Sequence, residues 1–277
     1  MVHAHVCNKE NGSAGITFYR MTQAEQRIEV QKRFSSAIQP EDVAKLLGIT
    51  WEKLRYLLYR MPYYQRYRYF GIPKKSGGKR WISAPIPEIR ELQRRLNDLF
   101  KNVYQPRLST HGFALDRSIV TNAEAHVGAR FVFNLDLSDF FPSIHFGRVR
   151  GLFLKKPFEC NPAVATVLAQ LCCDNGKLPQ GAPTSPIITN LICGKMDVDL
   201  QRFAREHACI YTHHYLVAGP ELGRAAGSGR RLLETVVMIE QRIAWGANNA
   251  GQAAIPQVRE MTVKETNFKF CSPPSFL

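Results

Sequence analysis

A carboxylate at the end of an apolar segment is the first residue in this sequence that could do chemistry. Residues 131–144 read FVFNLDLSDFFPSI, and an apolar run long enough for a buried strand leads to Asp136, with Asp139 three residues later. Pro142 cannot continue a central strand, so the strand should end near Asp136. A carboxylate at such a position is costly to desolvate. It either has a hydrogen-bonded structural role or holds a cation, and the segment alone leaves both open.

A basic hairpin is the second candidate. Residues 71–85 read GIPKKSGGKRWISAP, in which Ser76-Gly77-Gly78 is a turn signal between two β-rich runs. The bases near its tip are Lys74, Lys75, Lys79 and Arg80. Lysines protect an exposed edge hairpin from aggregation, but the same residues could face phosphate groups. The hairpin by itself favours neither interpretation.

The charge balance points to a polyanionic partner. The formal net charge is +14, and residues 1–212 carry 30 Lys/Arg against 18 Asp/Glu, whereas residues 213–277 carry 7 against 5. Residues 63–70 alternate aromatic side chains with Arg66 and Arg68. Because Lys and Arg release counterions when they neutralise phosphates, this pattern is typical of nucleic-acid binding.

Composition argues against several other classes of protein. The seven cysteines form no CxxC pair, so a zinc site is not expected. No apolar stretch approaches 18 residues and no signal peptide follows Met1, so the expectation is a soluble, reduced, cytoplasmic protein without a membrane span. The hydrophobic content of 45% is sufficient for a real core.

The elements that must position these residues are mostly helical. Apolar periodicity and capping signals predict helices over 23–35, 40–48, 51–60, 87–104, 122–128, 145–155, 161–173 and 184–205. Residues 1–20 should be a loose tail, and the prolines of residues 177–186 exclude regular structure there. Residues 207–212 should form a short strand. The helices over 40–60 could form a helix-turn-helix, although a helical cap on a larger domain is favoured.

Four segments together resemble bacterial reverse transcriptases, most closely those of the retron type. They are IPKKSGGKRWISAP (72–85), HGF with RSIVTNAEAHVG (111–128), NLDLSDFFPSI (134–144) and LPQGAPTSPIITNLIC (178–193). The resemblance covers roughly residues 40–212. It implies an α+β right-hand polymerase with fingers, a palm whose antiparallel sheet packs on helices, and a thumb. The expected organisation is a tail and helix over 1–38, fingers over 39–130, a palm over 131–212 and an atypical segment over 213–277.

The resemblance implies nucleotidyl transfer with two Mg²⁺ ions, which stabilise the attacking and leaving oxygens and prefer oxygen ligands. Asp136 matches the family's first metal-binding aspartate, with the Leu137 carbonyl as a second ligand. Phe141 matches the position that blocks a ribose 2′-hydroxyl and so favours deoxynucleotides. The other implied nucleotide-binding residues are Lys75, Arg80, Asp139, Phe140, Gln180 and Gly181. The expected RNA-binding residues are Arg66, Arg68, Lys74 and Lys79.

The implied partners are a structured RNA that serves as template and primer, deoxynucleotides, and an accessory effector protein. Antiviral defence is a role associated with retrons, although no residue here indicates it.

The sequence departs from the family after Thr212. The family's Tyr-Ala-Asp-Asp motif should follow residues 210–212, but residues 213–219 read HHYLVAG and no Asp occurs after Asp199. His213 and His214 are soft ligands that suit Mg²⁺ poorly, so an exposed polar pair is the preferred interpretation. A basic helical thumb is not recognisable in the later residues, so the thumb is expected to be missing or replaced.

These departures predict a protein truncated or frameshifted after Thr212 whose polymerase activity is impaired. One alternative is a basic RNA-binding module without enzymatic activity, or an inactive polymerase remnant. A weaker alternative is a misfolded fragment in which the strand carrying Asp136 has an unpaired edge.

Overall fold

The structure is a computed structural model of the 277-residue chain. It describes residues 2–6, 16–73, 79–114, 116–127, 131–137, 140–206, 209–212, 216–219 and 258–265. For the strands over 2–6, 16–20, 131–137, 216–219 and 258–265 the description is of the backbone.

In the N-terminal half of the chain, helices precede and follow the basic hairpin in sequence. They are α1 (Gln23–Ser35), α2 (Pro40–Leu47), α3 (Trp51–Arg55) and α4 (Pro87–Val103), and a π-helical turn over Tyr56–Arg60 continues α3. Thr22 and Glu25 form a capping box at the start of α1. Gly48 ends α2 in the left-handed conformation, with φ of 65°, which glycine adopts readily.

A second group of helices follows the strand that carries Asp136. They are α6 (Phe140–Ser143), α7 (Phe146–Leu154), α8 (Pro162–Cys172) and α9 (Ser185–Glu206). Before that strand lies α5 (Ile119–Glu124), which begins earlier than the predicted 122–128 because Ser118 caps it by accepting a hydrogen bond from the Thr121 amide. Among the described residues, no helix has the length and apolar character needed to cross a membrane.

Four phenylalanine rings join the two groups of helices. Phe34 in α1, Phe100 in α4, Phe153 in α7 and Phe158 in the following loop are fully buried. Their ring centroids lie 5.2–5.9 Å apart in the pairs that touch. Such offset and edge-to-face pairs are favourable beyond the area that they bury. Residues from both sides of the hairpin therefore share one hydrophobic core.

The strands of the described residues form three antiparallel sheets. β1 (Val2–Val6) pairs with β2 (Ile16–Arg20), and β3 (Tyr67–Pro73) pairs with β4 (Lys79–Pro85) as the predicted hairpin. The third sheet has the order β6-β7-β5-β8. Its strands are β5 (Phe131–Leu137), β6 (Ile210–Thr212), β7 (Leu216–Gly219) and β8 (Val258–Glu265).

The expectation that the first residues are a loose tail is wrong, because Val2–Val6 and Ile16–Arg20 form a five-residue antiparallel ladder. The weaker alternative of an unpaired edge beside Asp136 is also not what the structure has, because β8 pairs with β5 along its whole length and β7 pairs with its first three residues. Both partners of β5 come from the segment after Thr212, for which the sequence predicted no strand.

The α+β class with an antiparallel sheet is confirmed, as are the helices over 23–35, 40–47, 87–103 and 162–172. The division into fingers, palm and an atypical last segment stays a prediction. So does the missing or replaced thumb, and the segment between residues 220 and 257 lies outside the described residues.

Removal of one ring from the phenylalanine cluster should destabilise the whole protein. We expect Phe100→Ala to lower the free energy of unfolding by about 3–5 kcal/mol, because the cavity forms in a fully buried site. Leu108→Ala is the matched control, since Leu108 is 83% exposed, and should change stability by less than about 0.5 kcal/mol. Urea unfolding measures both, and equal losses would contradict the placement of the core.

Candidate active site and nucleic-acid interface

The strand with the predicted catalytic carboxylate lies inside the four-stranded sheet. Asp136 and Leu137 are the last residues of β5. The Cα partner of Asp136 in the neighbouring strand is Glu260, and the register shifts between Asp136 and Leu137. A register shift of this kind bends a strand and redirects the residues beside it. Two residues with carboxylate side chains thus stand opposite each other in the backbone register.

The segment after β5 is joined to the Pro-rich loop over residues 177–181. The Leu178 amide donates to the Ile144 carbonyl at 2.8 Å, and the Phe146 amide donates to the Gly176 carbonyl at 2.8 Å. His145 and Lys177 also form an isolated antiparallel bridge. The start of the loop that carries Gln180 and Gly181 is therefore bonded to the residues directly after the helix that begins with Phe140 and Phe141.

Phe140 and Phe141 occupy the first positions of α6. Their ring centroids are 6.1 Å apart with an interplanar angle of 55°, and both side chains are half-buried against the main core. The Ser143 hydroxyl donates to the Phe140 carbonyl at 2.6 Å, which closes the short helix. Asp139, the residue before this helix, lies outside the described residues.

The basic hairpin docks on the same loop by the outer edge of β4. The Ser83 amide donates to the Gln180 carbonyl at 2.9 Å. Gly181 adopts a φ of 127°, and a Cβ there would lie 2.8 Å from Ile82 Cγ2 and 3.1 Å from the Ser83 carbonyl oxygen. Position 181 therefore requires glycine for two reasons, its backbone conformation and the close approach of the hairpin.

A buried carboxylate ties the other strand of the hairpin to the turn after α8. The Tyr69 hydroxyl donates to the Asp174 carboxylate at 2.9 Å and 3.0 Å, and Ser83, the cross-strand partner of Tyr69, also hydrogen-bonds Asp174. Burial raises the pKa of Asp174, while the hydrogen bonds from Tyr69 and Ser83 act in the opposite direction. Burial and the bond to Asp174 raise the pKa of Tyr69 to about 12. Both residues of the cross-strand pair Tyr69–Ser83 are thus hydrogen-bonded to residues outside the hairpin.

The predicted cationic contacts fall into three groups. Arg68, Lys79 and Arg80 are exposed on the hairpin. Arg66 is half-buried, and it donates to the Leu58 carbonyl at 2.6 Å and to the Met61 carbonyl at 3.0 Å. Those bonds give Arg66 a role in holding its own segment together. Lys74 and Lys75 lie outside the described residues.

Comparison with known proteins decides the family. The family model described as reverse transcriptase (RNA-dependent DNA polymerase) matches residues 72–245, which is more than half of the chain. The chain belongs to the reverse transcriptase family.

The similar curated proteins are bacterial retron enzymes. The chain is 38% identical over 178 residues to the retron Ec86 reverse transcriptase of Escherichia coli, an alignment that covers 62% of this chain and 53% of that protein. It is 37% identical over 194 residues to the retron Mx65 reverse transcriptase of Myxococcus xanthus, covering 63% of this chain and 45% of that protein. The chain thus spans about half the length of the curated relatives that it matches.

In this reverse transcriptase, the motif that begins at His111 connects helix α9 to strand β6 through hydrogen bonds. His111 Nδ1 lies 2.9 Å from the Thr121 hydroxyl, and the Asn190 amide donates to the Gly112 carbonyl at 3.0 Å, which attaches the motif to α9. His126 Nε2 lies 2.7 Å from the Thr212 hydroxyl at the end of β6. Burial lowers the pKa of His126, so the neutral imidazole is favoured at this contact.

A further hydrogen bond joins β6 to the long helix. The Tyr211 hydroxyl donates to Asp197 Oδ1 at 2.7 Å, and both residues are buried. Sequence reasoning missed this pair, as it missed Asp174, because each acid looks ordinary in its own segment. The available signals were an Asp directly after an apolar helix, at the Asp174-Asn175-Gly176 turn, and an Asp on the apolar face of α9.

Gly181→Ala tests the docking of the hairpin. We expect a loss of about 1–3 kcal/mol in the free energy of unfolding, because the added Cβ overlaps Ile82 and the φ is unfavourable for alanine. The matched control is Gly151→Ala in α7, where a Cβ meets nothing within 4 Å. That change should be neutral or stabilise by up to about 1 kcal/mol. Similar effects of the two variants in urea unfolding would argue against close docking.

The titration of Asp174 should appear in the pH dependence of stability. A raised pKa means that the folded state binds the proton more tightly than the unfolded state. The wild-type protein should therefore lose stability relative to Asp174→Asn as the pH rises through the ordinary carboxyl value of 3.8 and on through the raised value. Urea unfolding from about pH 4 to about pH 7 measures this difference.

Tyr69→Phe provides the companion measurement. It removes a hydrogen bond that lowers the pKa of Asp174, so the decline should extend to higher pH. If the wild-type protein instead gained stability relative to Asp174→Asn as the pH rises, that result would contradict the burial of this carboxylate.

Proposed function

We propose that this chain is the fingers and palm part of an RNA-directed DNA polymerase of retron type, which binds RNA and has impaired nucleotidyl transfer. The observation that carries the proposal is the docking of the basic hairpin on the loop over residues 177–181. That loop is also hydrogen-bonded to the residues that follow α6, which supports a site built from the hairpin, this loop and the end of β5. Templated nucleotide addition would need contributions from all three.

The roles that we propose follow the family resemblance. Asp136, with the Leu137 carbonyl, would hold the catalytic cation, and Asp139, Phe140 and Lys75 would lie beside the nucleotide. Phe141 would exclude a ribose 2′-hydroxyl, and Arg80 would contact the triphosphate. Gln180 and Gly181 would support the templating pair, which is consistent with the contact between this loop and β4.

We propose the impairment because the sequence has few carboxylates that could bind two Mg²⁺ ions. A two-metal site needs several carboxylate oxygens that converge from different strands. The sequence has no Asp after Asp199, and β7, which pairs with β5, reads LVAG. Within the described part of the chain, His, Cys, Asp and Glu form no group of three or more that could hold a metal ion. With so few aspartates in the sequence after Asp139, we propose that the chain lacks a complete two-metal site, and we derive no catalytic step through bound Mg²⁺.

A second candidate is an RNA-binding module without enzymatic activity. The net charge of +14 and the exposed Arg68, Lys79 and Arg80 favour it. We propose a structured RNA as the partner in either case, because the cations supply sequence-independent affinity for phosphate groups. An accessory effector protein, a role in antiviral defence and a cytoplasmic location are further proposals that rest on resemblance to retron proteins.

Primer extension and RNA binding, measured on one preparation, separate the two candidates. With an RNA template, a DNA primer, deoxynucleotides and Mg²⁺, we expect no extension above a reaction without protein. RNA binding should persist and weaken steeply with salt, because each phosphate contact releases counterions. Extension that disappears in both Asp136→Ala and Glu260→Gln would contradict the impairment and identify Glu260 as a second ligand. Absence of salt-dependent RNA binding would contradict both candidates.

A further inference from the structure

Three tyrosines attach the fingers to α8 and the turn after it by their hydroxyl groups. The Tyr59 hydroxyl donates to Gln170 Oε1 at 2.8 Å. The Tyr63 hydroxyl accepts a hydrogen bond from the Asn175 amide, and the Tyr69 hydroxyl donates to Asp174. Gln170, Asp174 and Asn175 lie within six consecutive residues, so the three hydroxyls meet one short stretch of chain. We call Tyr59, Tyr63 and Tyr69 the tyrosine platform.

The rings of the platform remain available to solvent although their hydroxyls are bonded. Tyr59, Tyr63 and Tyr69 are 48%, 41% and 49% exposed. With the hydroxyls engaged in the protein, the surface left for a partner is chiefly the aromatic ring. A single exposed aromatic residue is ordinary, but three exposed rings whose hydroxyls meet the same six residues of chain are a defined surface.

The rings are also held in position before any partner arrives. The Arg66 guanidinium lies 5.1 Å from the centroid of the Tyr63 ring, and its bonds to the Leu58 and Met61 carbonyls keep it there. A rigid aromatic surface loses little conformational entropy on binding. Arg66 thus supports the platform, while the exposed Arg60 and Arg68 are next to it in sequence and free to meet phosphate groups.

The charge of this part of the chain selects the partner. Residues 53–87 carry nine Lys/Arg and no Asp/Glu, and they contain six of the ten tyrosines of the chain. The bases are Lys53, Arg55, Arg60, Arg66, Arg68, Lys74, Lys75, Lys79 and Arg80. Asp174, the acid that contacts the platform, is 5% exposed. A surface of aromatic rings in a basic segment without acids suits a polyanion that has flat bases.

We propose that the tyrosine platform binds single-stranded RNA by stacking its bases on Tyr59, Tyr63 and Tyr69, with Arg60 and Arg68 on the phosphates. This inference rests on the proposed function, because it takes RNA as the partner. It adds a contact through rings to the contacts through phosphate-binding cations. Duplex RNA should bind the platform poorly, since its bases are already stacked on one another.

The test compares ring removal with hydroxyl removal at each position. The probe is a fluorescein-labelled single-stranded RNA of about 12 nucleotides, since one single-strand site covers roughly 4–16 nucleotides. Tyr59→Leu, Tyr63→Leu and Tyr69→Leu should each weaken binding roughly fivefold or more, while the corresponding Phe variants, which keep the ring, should bind within about twofold of wild type. Fluorescence anisotropy at several salt concentrations gives the dissociation constants.

Three controls show whether the rings act as proposed. Tyr64→Leu should leave binding unchanged although Tyr64 is 75% exposed, because its hydroxyl accepts from the neighbouring Gln65 and does not fix the ring against α8 or its turn. The Leu variants should keep the salt dependence of wild type, whereas Arg60→Gln and Arg68→Gln should reduce it. Thermal melting identifies any Leu variant that fails to fold, and a Met variant at the same position, which also lacks the ring, then replaces it.

Each outcome supports or overturns the platform. Equal losses in the Leu and Phe variants, or an equal loss in Tyr64→Leu, would overturn it while leaving the proposed function intact. Tighter ring-dependent binding of a DNA strand of the same sequence would overturn the assignment to RNA. Failure of the wild-type chain to bind RNA at all would overturn both the platform and the proposed function.

Discussion

The contact between the edge of β4 and the Gln180–Gly181 loop is the constraint on which the rest of the site depends. One backbone hydrogen bond of 2.9 Å from Ser83 to Gln180 occupies that edge of the hairpin, and the absence of a side chain at Gly181 permits it. Because the loop is also bonded to residues 144 and 146, the position of the hairpin relative to the end of β5 is set through a short chain of backbone contacts. A side chain at position 181 would interrupt that chain at its tightest point.

The remaining structure supports this contact in two ways. The phenylalanine cluster joins α1, α4 and α7 into one core, so the two groups of helices are not independent bodies. Tyrosine hydroxyls bonded to buried acids, in the pairs Tyr69–Asp174 and Tyr211–Asp197, connect distant segments with directional bonds. A buried carboxylate is costly unless it is hydrogen-bonded, and Asp174 receives two of its bonds from the hairpin. Loss of the hairpin contact would therefore also remove two of the donors to this acid and leave it the bond from the Asn175 backbone.

The parts of the fold that follow from local patterning could be predicted from the sequence. The apolar periodicity of α4, the Asn161-Pro162 start of α8 and the Ser-Gly-Gly turn of the hairpin each act within a few residues. The pairing of β5 with β8 could not be predicted, because more than one hundred residues separate the two strands and β8 has no motif. The start of α5 was predicted too late because it depends on a single hydrogen bond, from the Thr121 amide to the Ser118 hydroxyl.

The sequence by itself determined the family, the candidate carboxylate at Asp136 and the lack of aspartate after Asp199, since these depend only on residue identity and order. Only the tertiary structure showed that Arg66 hydrogen-bonds carbonyl groups of its own segment and that Asp174 is buried and bonded to Tyr69. It also showed that three tyrosine hydroxyls contact α8 and the turn after it. The physical reason is that hydrogen-bond partners and burial are set by residues far apart in the chain. A tyrosine-rich, basic segment can be read from the sequence, but which part of each tyrosine remains exposed can be read only from the fold.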